Sequence, residues 1–436
     1  MSSLTRSGYC TGHHPDTRRE LTVRAIENAL GLRPPAFKVF RETSKHLCVP
    51  RFYGQEKFGP AKDCRPEPVK VNISFTGQLR AHQIEALDNY KGQGVLSLDV
   101  GLGKTVCALA IAARMGVRTL IIVHKEFLAN QWIERIGQFC PGSTVGRIQQ
   151  DKCELEHPFI IGMIQTLCMR SHPIGTFDSI GLLIVDEAHH VGAPAFSQAM
   201  FTMCPKYTLG LTATPDRKDG LTRVLYWFLG PLFFSLHRES SKNVQVVRVS
   251  FMSPEYLQPP PVSRLGKVCL ASMVNIIVDN PERNELILDI IRDVSMNHHT
   301  LVLTDRRSHC EWLVHKIGPS AGLYMGGLKQ QTLDESAKCR VVVGTFSLAH
   351  EGLDISTLSA IVLATPHSDV RQAVGRILRT EGPKLVYDIV DGWSVMNAMY
   401  RKRLAIYREC GFQTEDERET ASSFPKGKCL LSLEDE

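Results

Sequence analysis

The residues best able to do chemistry lie in one short run. Gly101 and Gly103 precede Lys104 and Thr105, between an apolar stretch at 95–98 and an Ala-rich one at 105–114. The first reads as a buried strand and the second as a helix. Glycines let a backbone approach an anion closely, and the N–H groups at a helix start point at it. In such a cradle Lys104 reaches β- and γ-phosphates, and the Thr105 hydroxyl ligates Mg2+. Leu102, between the glycines, belongs to the same turn. Leu98 stands where the fuller form of this pattern has its first glycine.

Two carboxylates, Asp186 and Glu187, end the apolar run 181–185 and are followed by Ala188 and His189. Asp186 suits holding Mg2+ through water, and Glu187 suits orienting and deprotonating an attacking water. Alone, the pair would read as an acidic helix start. At the end of a later strand of the same sheet it reads as chemistry. Thr212, Ala213, Thr214 and Pro215 follow the next strand. Their hydroxyls can hydrogen-bond His189 and link a nucleotide site to movement. Gln83 opens a helix upstream of the glycine turn, and its amide offers donor and acceptor together, as an adenine edge requires. Gln372, Arg376 and Arg379 recur at i, i+4 and i+7, so on one helix over 369–379 they share a face. That face makes sense against a nucleotide, where both arginines stabilise charge on the γ-phosphoryl group.

The elements that must position these groups alternate in type. Strands are expected at 95–98, 119–123, 159–163, 182–185 and 207–211, with helices at 105–115, 127–139 and 194–203. Such alternation argues for a parallel sheet covered on both faces, with ligands at the carboxyl ends of its strands. Prolines 254, 259, 260 and 261 mark residues 236–280 as an irregular linker. A helix at 282–294 then opens a second α/β domain, with strands at 300–303, 340–343, 360–363 and 385–389 and helices at 308–317 and 369–379. The first 19 residues read as a mobile polar tail, 20–30 as a short helix, and 37–40, 47–52 and 69–75 as strands of a small accessory domain. The divisions are thus 1–76 accessory, 77–235 first α/β domain, 236–280 linker, 281–395 second α/β domain, and 396–436 a C-terminal helix and polar tail.

A chain of 436 residues with 43% hydrophobic content buries a large core. Its net charge of +6 permits a polyanionic partner without requiring one. Thirteen cysteines have no Cys-x-x-Cys spacing or zinc-ligand pattern, so they read as free thiols in a reducing compartment. No apolar run reaches the roughly 18–20 residues needed to span a bilayer. A soluble intracellular protein with no membrane partner is expected, in nucleus or cytoplasm.

Arg80 with Gln83, Gly-Leu-Gly-Lys-Thr, Asp-Glu-Ala-His, Thr-Ala-Thr, Gly-Thr followed by Glu-Gly-Leu-Asp, and Gln-x-x-Gly-Arg-x-x-Arg occur in the order of superfamily 2 DEAH-box-type helicases. The resemblance covers residues 77–391. Residues 212–220 resemble the XPB-like branch of DNA helicases and translocases. Residues 49–54 and 301–309 are similar to helicases of large nucleocytoplasmic DNA viruses. The resemblance implies two tandem RecA-like domains with ATP and Mg2+ in the cleft between them, and a nucleic-acid strand crossing both. By position it assigns Lys104, Thr105, Asp186, Glu187, Gln372, Arg376 and Arg379 to the ATPase site. Arg80, Gln83, Gly101, Leu102, Gly103, Gly352 and Asp354 join the nucleotide set. Thr166, Gly344 and Thr345 match positions that touch the nucleic-acid backbone, contacts that carry no sequence information. His124-Lys125 departs from relatives that have a proline after that strand.

The implied activity is ATP-dependent movement on, or unwinding of, DNA, with transcription or repair proteins as further partners. An RNA helicase shares every motif. A nucleotide-gated scaffold would bind nucleic acid without processive motion, and a restriction-type motor would need a nuclease centre for which the tail is too short. A virus-infected cell or a virion fits the viral resemblance.

Overall fold

In the computed structural model the described residues are 2–26, 34–99, 101–214, 217, 219–237, 243–263, 266, 268–347, 355–379 and 382–415, with the side chain of Arg379 excepted. Gly352, Asp354, Pro215 and the tail beyond Glu415 lie outside them. The chain divides into two compact units, Met1–His237 and Arg238–Glu436.

The first unit is built on an eight-stranded sheet. From edge to edge it runs Lys152–Cys153, Val145–Gln149, Phe159–Met163, Thr119–Val123, Leu182–Val185, Tyr207–Thr212, Gln93–Leu98 and Leu232–Leu236. All pairs are parallel except the hairpin at the first edge. Alternate residues of each strand feed opposite cores, the cause being the period of two in a pleated strand. Leu96, Ile121, Ile161, Ile184 and Leu209 pack under helices Ala81–Asn89, Lys104–Met115 and Glu126–Phe139. Val95, Leu120, Ile122, Ile160 and Leu183 pack with Phe196, Leu225 and Phe228 on the other face. Each such buried aliphatic contributes about 1.5–3 kcal/mol, so the two cores fix the strand ends that carry the polar residues.

The N-terminal segment is folded, which corrects the expected mobile tail. Ser3–Thr5 and Gly8–Thr11 pair in a five-stranded sheet with Lys62–Asp63, Arg41–Glu42 and Leu47–Val49. Leu4, Tyr9, Leu21, Leu47 and Tyr53 form its core, apolar residues spaced too sparsely for a sequence reading to register. Helix Pro15–Glu20 takes its start from Pro15; of the helix expected at 20–30, Thr22–Val23 is strand and residues 27–30 lie outside the described residues. Pro50 stops the strand expected over 47–52 and opens helix Arg51–Phe58. Residues 69–75 form no strand: only Lys70 makes an isolated bridge, to Val117. Cys10 and Cys48 face each other across registered antiparallel strands and are joined as a disulfide, against the expectation of free thiols. Ten other described cysteines are free.

The second unit has a seven-stranded, wholly parallel sheet, in the order Ala321–Tyr324, Val341–Thr345, Thr300–Thr304, Ala360–Leu363, Lys384–Asp391, Val244–Phe251 and Gln413–Glu415. Val244–Phe251 and helix Leu270–Asp279 lie inside the stretch that the prolines marked as irregular. Pro281–Asn297 and Arg307–Ile317 pack Ile287, Ile291, Cys310 and Leu313 against Val302, Val343 and Val362. Two fully buried ion pairs cross this unit. Arg283 grips Asp391 with Nε at 2.7 Å and Nη2 at 3.0 Å, and Tyr256 donates to the same carboxylate at 2.9 Å. Arg403 grips Asp388 at 2.8 and 2.7 Å, with the Tyr407 hydroxyl at 2.8 Å.

Candidate active site

Three strands that adjoin in the first sheet, Leu182–Val185, Tyr207–Thr212 and Gln93–Leu98, deliver the expected residues at their carboxyl ends. Gly101 and Gly103 have φ of 83° and 85°, a left-handed backbone that favours glycine. Helix Lys104–Met115 begins immediately after them, so Thr105 lies in its first turn. Lys104 Nζ donates to the carbonyl of Leu98 at 2.8 Å, which folds the amine back across the loop.

Gln83 is buried, and its amide is engaged at both ends. Nε2 donates to the carbonyls of Leu102 and Gly103 at 3.2 and 3.3 Å, and Oε1 accepts from the Arg80 N–H at 2.9 Å. A Cβ on Gly103 would meet Nε2 at 2.3 Å, so the glycine also makes room for this clamp. His82, not singled out from the sequence, adds a ring contact to the Leu102 carbonyl at 3.0 Å. Arg80 caps helix Ala81–Asn89 with its backbone and leaves its side chain exposed.

Asp186 accepts from the Glu187 N–H at 3.0 Å and from the indole of Trp132 at 2.9 Å. Burial and the Glu187 charge push the Asp186 carboxyl up to about 6, against a pull downward from Trp132 and Lys104. A cation would relieve that opposition, and Asp186 with the Thr105 hydroxyl are donors of the type that would hold magnesium beside a phosphate. The chemistry of the residues therefore fits the pair of ligands.

Glu187 has a left-handed backbone, φ 46°, and its Oε2 lies 3.5 Å from His189 Nδ1. Thr212 is buried, and its Oγ1 is 3.4 Å from the same ring nitrogen. Thr214 joins through its backbone alone, its N–H donating to Thr212 Oγ1 at 3.1 Å and its carbonyl accepting at 3.0 Å. Arg217 donates to the His189 carbonyl and, through Nε, to Asp219 at 2.9 Å. The sequence assigns Arg217 no role beyond the motif over 212–220, and it assigns Trp132 none. The available signal was that a buried indole N–H needs an acceptor.

Thr166 lies on helix Ile164–Met169, and its Oγ1 accepts from the Gln150 N–H at 3.2 Å.

In the second unit, Gly344 and Thr345 end strand Val341–Thr345. A Cβ on Gly344 would meet the Tyr324 carbonyl at 2.5 Å, so strand packing alone requires glycine there. Thr345 Oγ1 lies 3.1 Å from Ser347 Oγ. The continuous helix expected over 369–379 does not form. Residues Arg371–Gly375 are α-helical, and Ile377–Arg379 are a 3-10 turn. The switch to i→i+3 bonding starts as Arg376 N donates to the Ala373 carbonyl at 3.1 Å, beside a poorly helix-forming Gly375. The α-helical geometry behind the shared face of Gln372, Arg376 and Arg379 therefore does not run on to 379, and the Arg379 side chain lies outside the described residues. Arg376 is 9% exposed and Gln372 half-buried.

The family described as the res subunit of type III restriction enzymes matches residues 76–217. A protein of Acanthamoeba polyphaga mimivirus, named as a candidate ATP-dependent RNA helicase, is 32% identical over 440 residues, spanning 92% of this chain and 83% of the relative. A candidate helicase of Invertebrate iridescent virus 6 is 26% identical over 376 residues, spanning 78% and 83%. The solved structure of S. cerevisiae Dbp5 bound to RNA and ADP BeF3 aligns with a TM-score of 0.54 at 13% identity, covering 79% of this chain and 92% of that one. That likeness is one of fold: two RecA-like α/β domains.

Proposed function

The chain belongs to the ATP-dependent helicases of superfamily 2, with viral helicases among its relatives, and from that premise we propose that it couples ATP hydrolysis to movement on, or unwinding of, DNA. The observation that carries the ATPase half is the placing of Lys104, Asp186 and Glu187 at the carboxyl edge of one sheet, after the two strands that flank Tyr207–Thr212, with Asp186 hydrogen-bonded by Trp132. Lys104 binds the β- and γ-phosphates. Thr105 and Asp186 hold Mg2+, which supplies charge neutralisation to the triphosphate. Glu187 orients water and takes its proton. Arg376 and Arg379 supply positive charge to the transition state, as their motif implies, Gln372 belongs to the same motif, and Gly352 and Asp354 belong to the same nucleotide set. Thr166, Gly344 and Thr345 contact the backbone of the strand.

DNA is favoured by the resemblance of residues 212–220 to the XPB-like branch. A second reading, RNA, is favoured by the mimivirus relative's name. One assay separates them: ATP hydrolysis by the full chain alone, then with single-stranded DNA, duplex DNA and RNA. Stimulation by DNA above RNA supports the first reading, and stimulation by RNA alone replaces it with the second. Turnover that is insensitive to Lys104→Ala would reject the site itself.

A further inference from the structure

Among the described residues, two non-glycines have a left-handed backbone: Gln150 at φ 50° and Glu187 at φ 46°. Such a conformation costs on the order of 1 kcal/mol or more and persists only where the surroundings impose it. The two residues stand at opposite ends of one unbroken series of contacts within the first unit. Glu187 Oε2 lies 3.5 Å from His189 Nδ1. The His189 and His190 rings are 4.4 Å apart, and the His190 and His124 rings 4.6 Å. The His124 carbonyl accepts from Gln165 Nε2 at 2.8 Å. Thr166, the next residue, accepts at Oγ1 from the Gln150 N–H at 3.2 Å.

The series follows the sheet. Glu187–His190 follow strand Leu182–Val185, His124 follows Thr119–Val123, and Gln165 with Thr166 follow Phe159–Met163; these strands are consecutive neighbours. The contacts therefore cross the carboxyl edge strand by strand, from the carboxylate that would activate water to the hydroxyl that would meet a phosphate of the nucleic acid.

We propose that His124 and His190 are positioning residues that carry strand occupancy at Thr166 to Glu187, making hydrolysis fast only when nucleic acid is bound. The proposal rests on the helicase reading above. A backbone phosphate that accepts from the Thr166 hydroxyl adds a second pull on the oxygen that already accepts from the Gln150 N–H. The turn holding Gln165 then shifts, and with it the His124 carbonyl. Rings in contact at 4.4 and 4.6 Å pass displacement on by direct steric contact. The end of the series is His189, which touches both Glu187 and Thr212.

The test uses the full chain with His124→Ala, His190→Ala and His190→Phe, with Lys104→Ala as the dead control. Steady-state ATP hydrolysis is measured with and without saturating oligonucleotide DNA and RNA, alongside binding by fluorescence anisotropy. Both alanine variants should keep basal kcat, KM for ATP and nucleic-acid affinity within about twofold, yet lose about tenfold of the stimulation. The phenylalanine variant, which keeps a flat ring, should recover part of it. Stimulation equal to that of the unsubstituted chain overturns the proposal, as does an equal fall in basal and stimulated rates. If either alanine variant unfolds, Gln165→Ala at the exposed end of the series should show the same loss, and full stimulation there overturns the proposal. Lys104-dependent turnover that no nucleic acid stimulates in the unsubstituted chain rejects the coupling but keeps the ATPase. Absence of Lys104-dependent turnover rejects the function beneath it.

Discussion

The indole Nε1 of Trp132 donates to Oδ2 of Asp186 at 2.9 Å, joining the helix Glu126–Phe139 to the carboxylate assigned to the metal. Trp132 is 2% exposed, and the Asp186 carboxylate it serves is half-buried. Removing a hydrogen bond to a partly buried carboxylate costs about 1–3 kcal/mol. Trp132→Phe keeps the ring and loses the donor. Its kcat should fall about tenfold at saturating Mg2+, and the Mg2+ concentration for half-maximal rate should rise. Unchanged Mg2+ dependence would reduce Trp132 to a packing residue.

Lys104→Ala and Glu187→Gln should fail in different ways. The first removes the cation facing the phosphates, and nucleotide binding should weaken together with loss of turnover. The second leaves the cradle intact, so ATP should bind with affinity near that of the unsubstituted chain while hydrolysis falls about a hundredfold or more. Nucleotide binding by fluorescence and turnover by phosphate release, measured on both variants, check the distinction. Equal weakening of binding in both would reject separate roles.

The glycine turn before helix Lys104–Met115, the Asp-Glu pair after its strand and the strands that present them were legible, because each depends on local spacing: alternating apolar residues, glycines before a helix, carboxylates after a strand. What stayed hidden depends on long-range pairing. The Gln83 clamp joins residues some 20 apart in the chain, and Trp132 meets Asp186 across 54. No local period encodes either contact. The N-terminal sheet escaped for the opposite reason: strands of two to four residues give no period to detect. In the second unit, prolines around 254–261 concealed the long strand just before them, Val244–Phe251. The helix over 369–379 was overread, since an i, i+4, i+7 pattern assumes α-helical geometry through Gly375.

His309 is buried, with Nδ1 2.9 Å from Thr304 Oγ1 and Nε2 3.1 Å from Asn284 Oδ1. Burial, reinforced by Arg283, pushes its pKa down to about 3 from 6.5. The folded chain therefore keeps the ring neutral while the unfolded chain protonates it. The stabilisation is fully present above pH 6.5 and is lost progressively as pH falls toward 3. Between pH 7.5 and 5 the loss should be about 2 kcal/mol. Urea unfolding at both values should show a smaller pH dependence for His309→Gln by that amount. An identical dependence would show that the ring does not titrate on unfolding.

Arg283 and Asp391 are both fully buried, and each satisfies the other. Arg283→Met strands a carboxylate that, among the described residues, Tyr256 alone still serves, and should destabilise the second unit by about 3–5 kcal/mol. The double variant Arg283→Met with Asp391→Leu should recover much of that loss, because no charge is left buried. Thermal unfolding of the two variants measures the difference; equal losses would show that packing, not the stranded charge, sets the cost.

The N-terminal sheet is fastened to the nucleotide-binding sheet at several points. Arg51 donates to the Lys206 carbonyl at 2.9 Å and to Gln93 at 3.1 Å. Arg65 reaches the Pro205 carbonyl at 2.7 Å, Arg6 pairs with Asp178 at 2.6 Å, and the Tyr53 ring sits edge-on to Trp227 at 5.2 Å. Gln93 begins the strand that leads to the phosphate loop. A polypeptide started at Gly77 would bare the Trp227 side of its core and release the arginine anchors beside that strand. The two sheets of the first unit thus share one surface, and any trimmed version of the chain has to be re-covered on the Trp227 side.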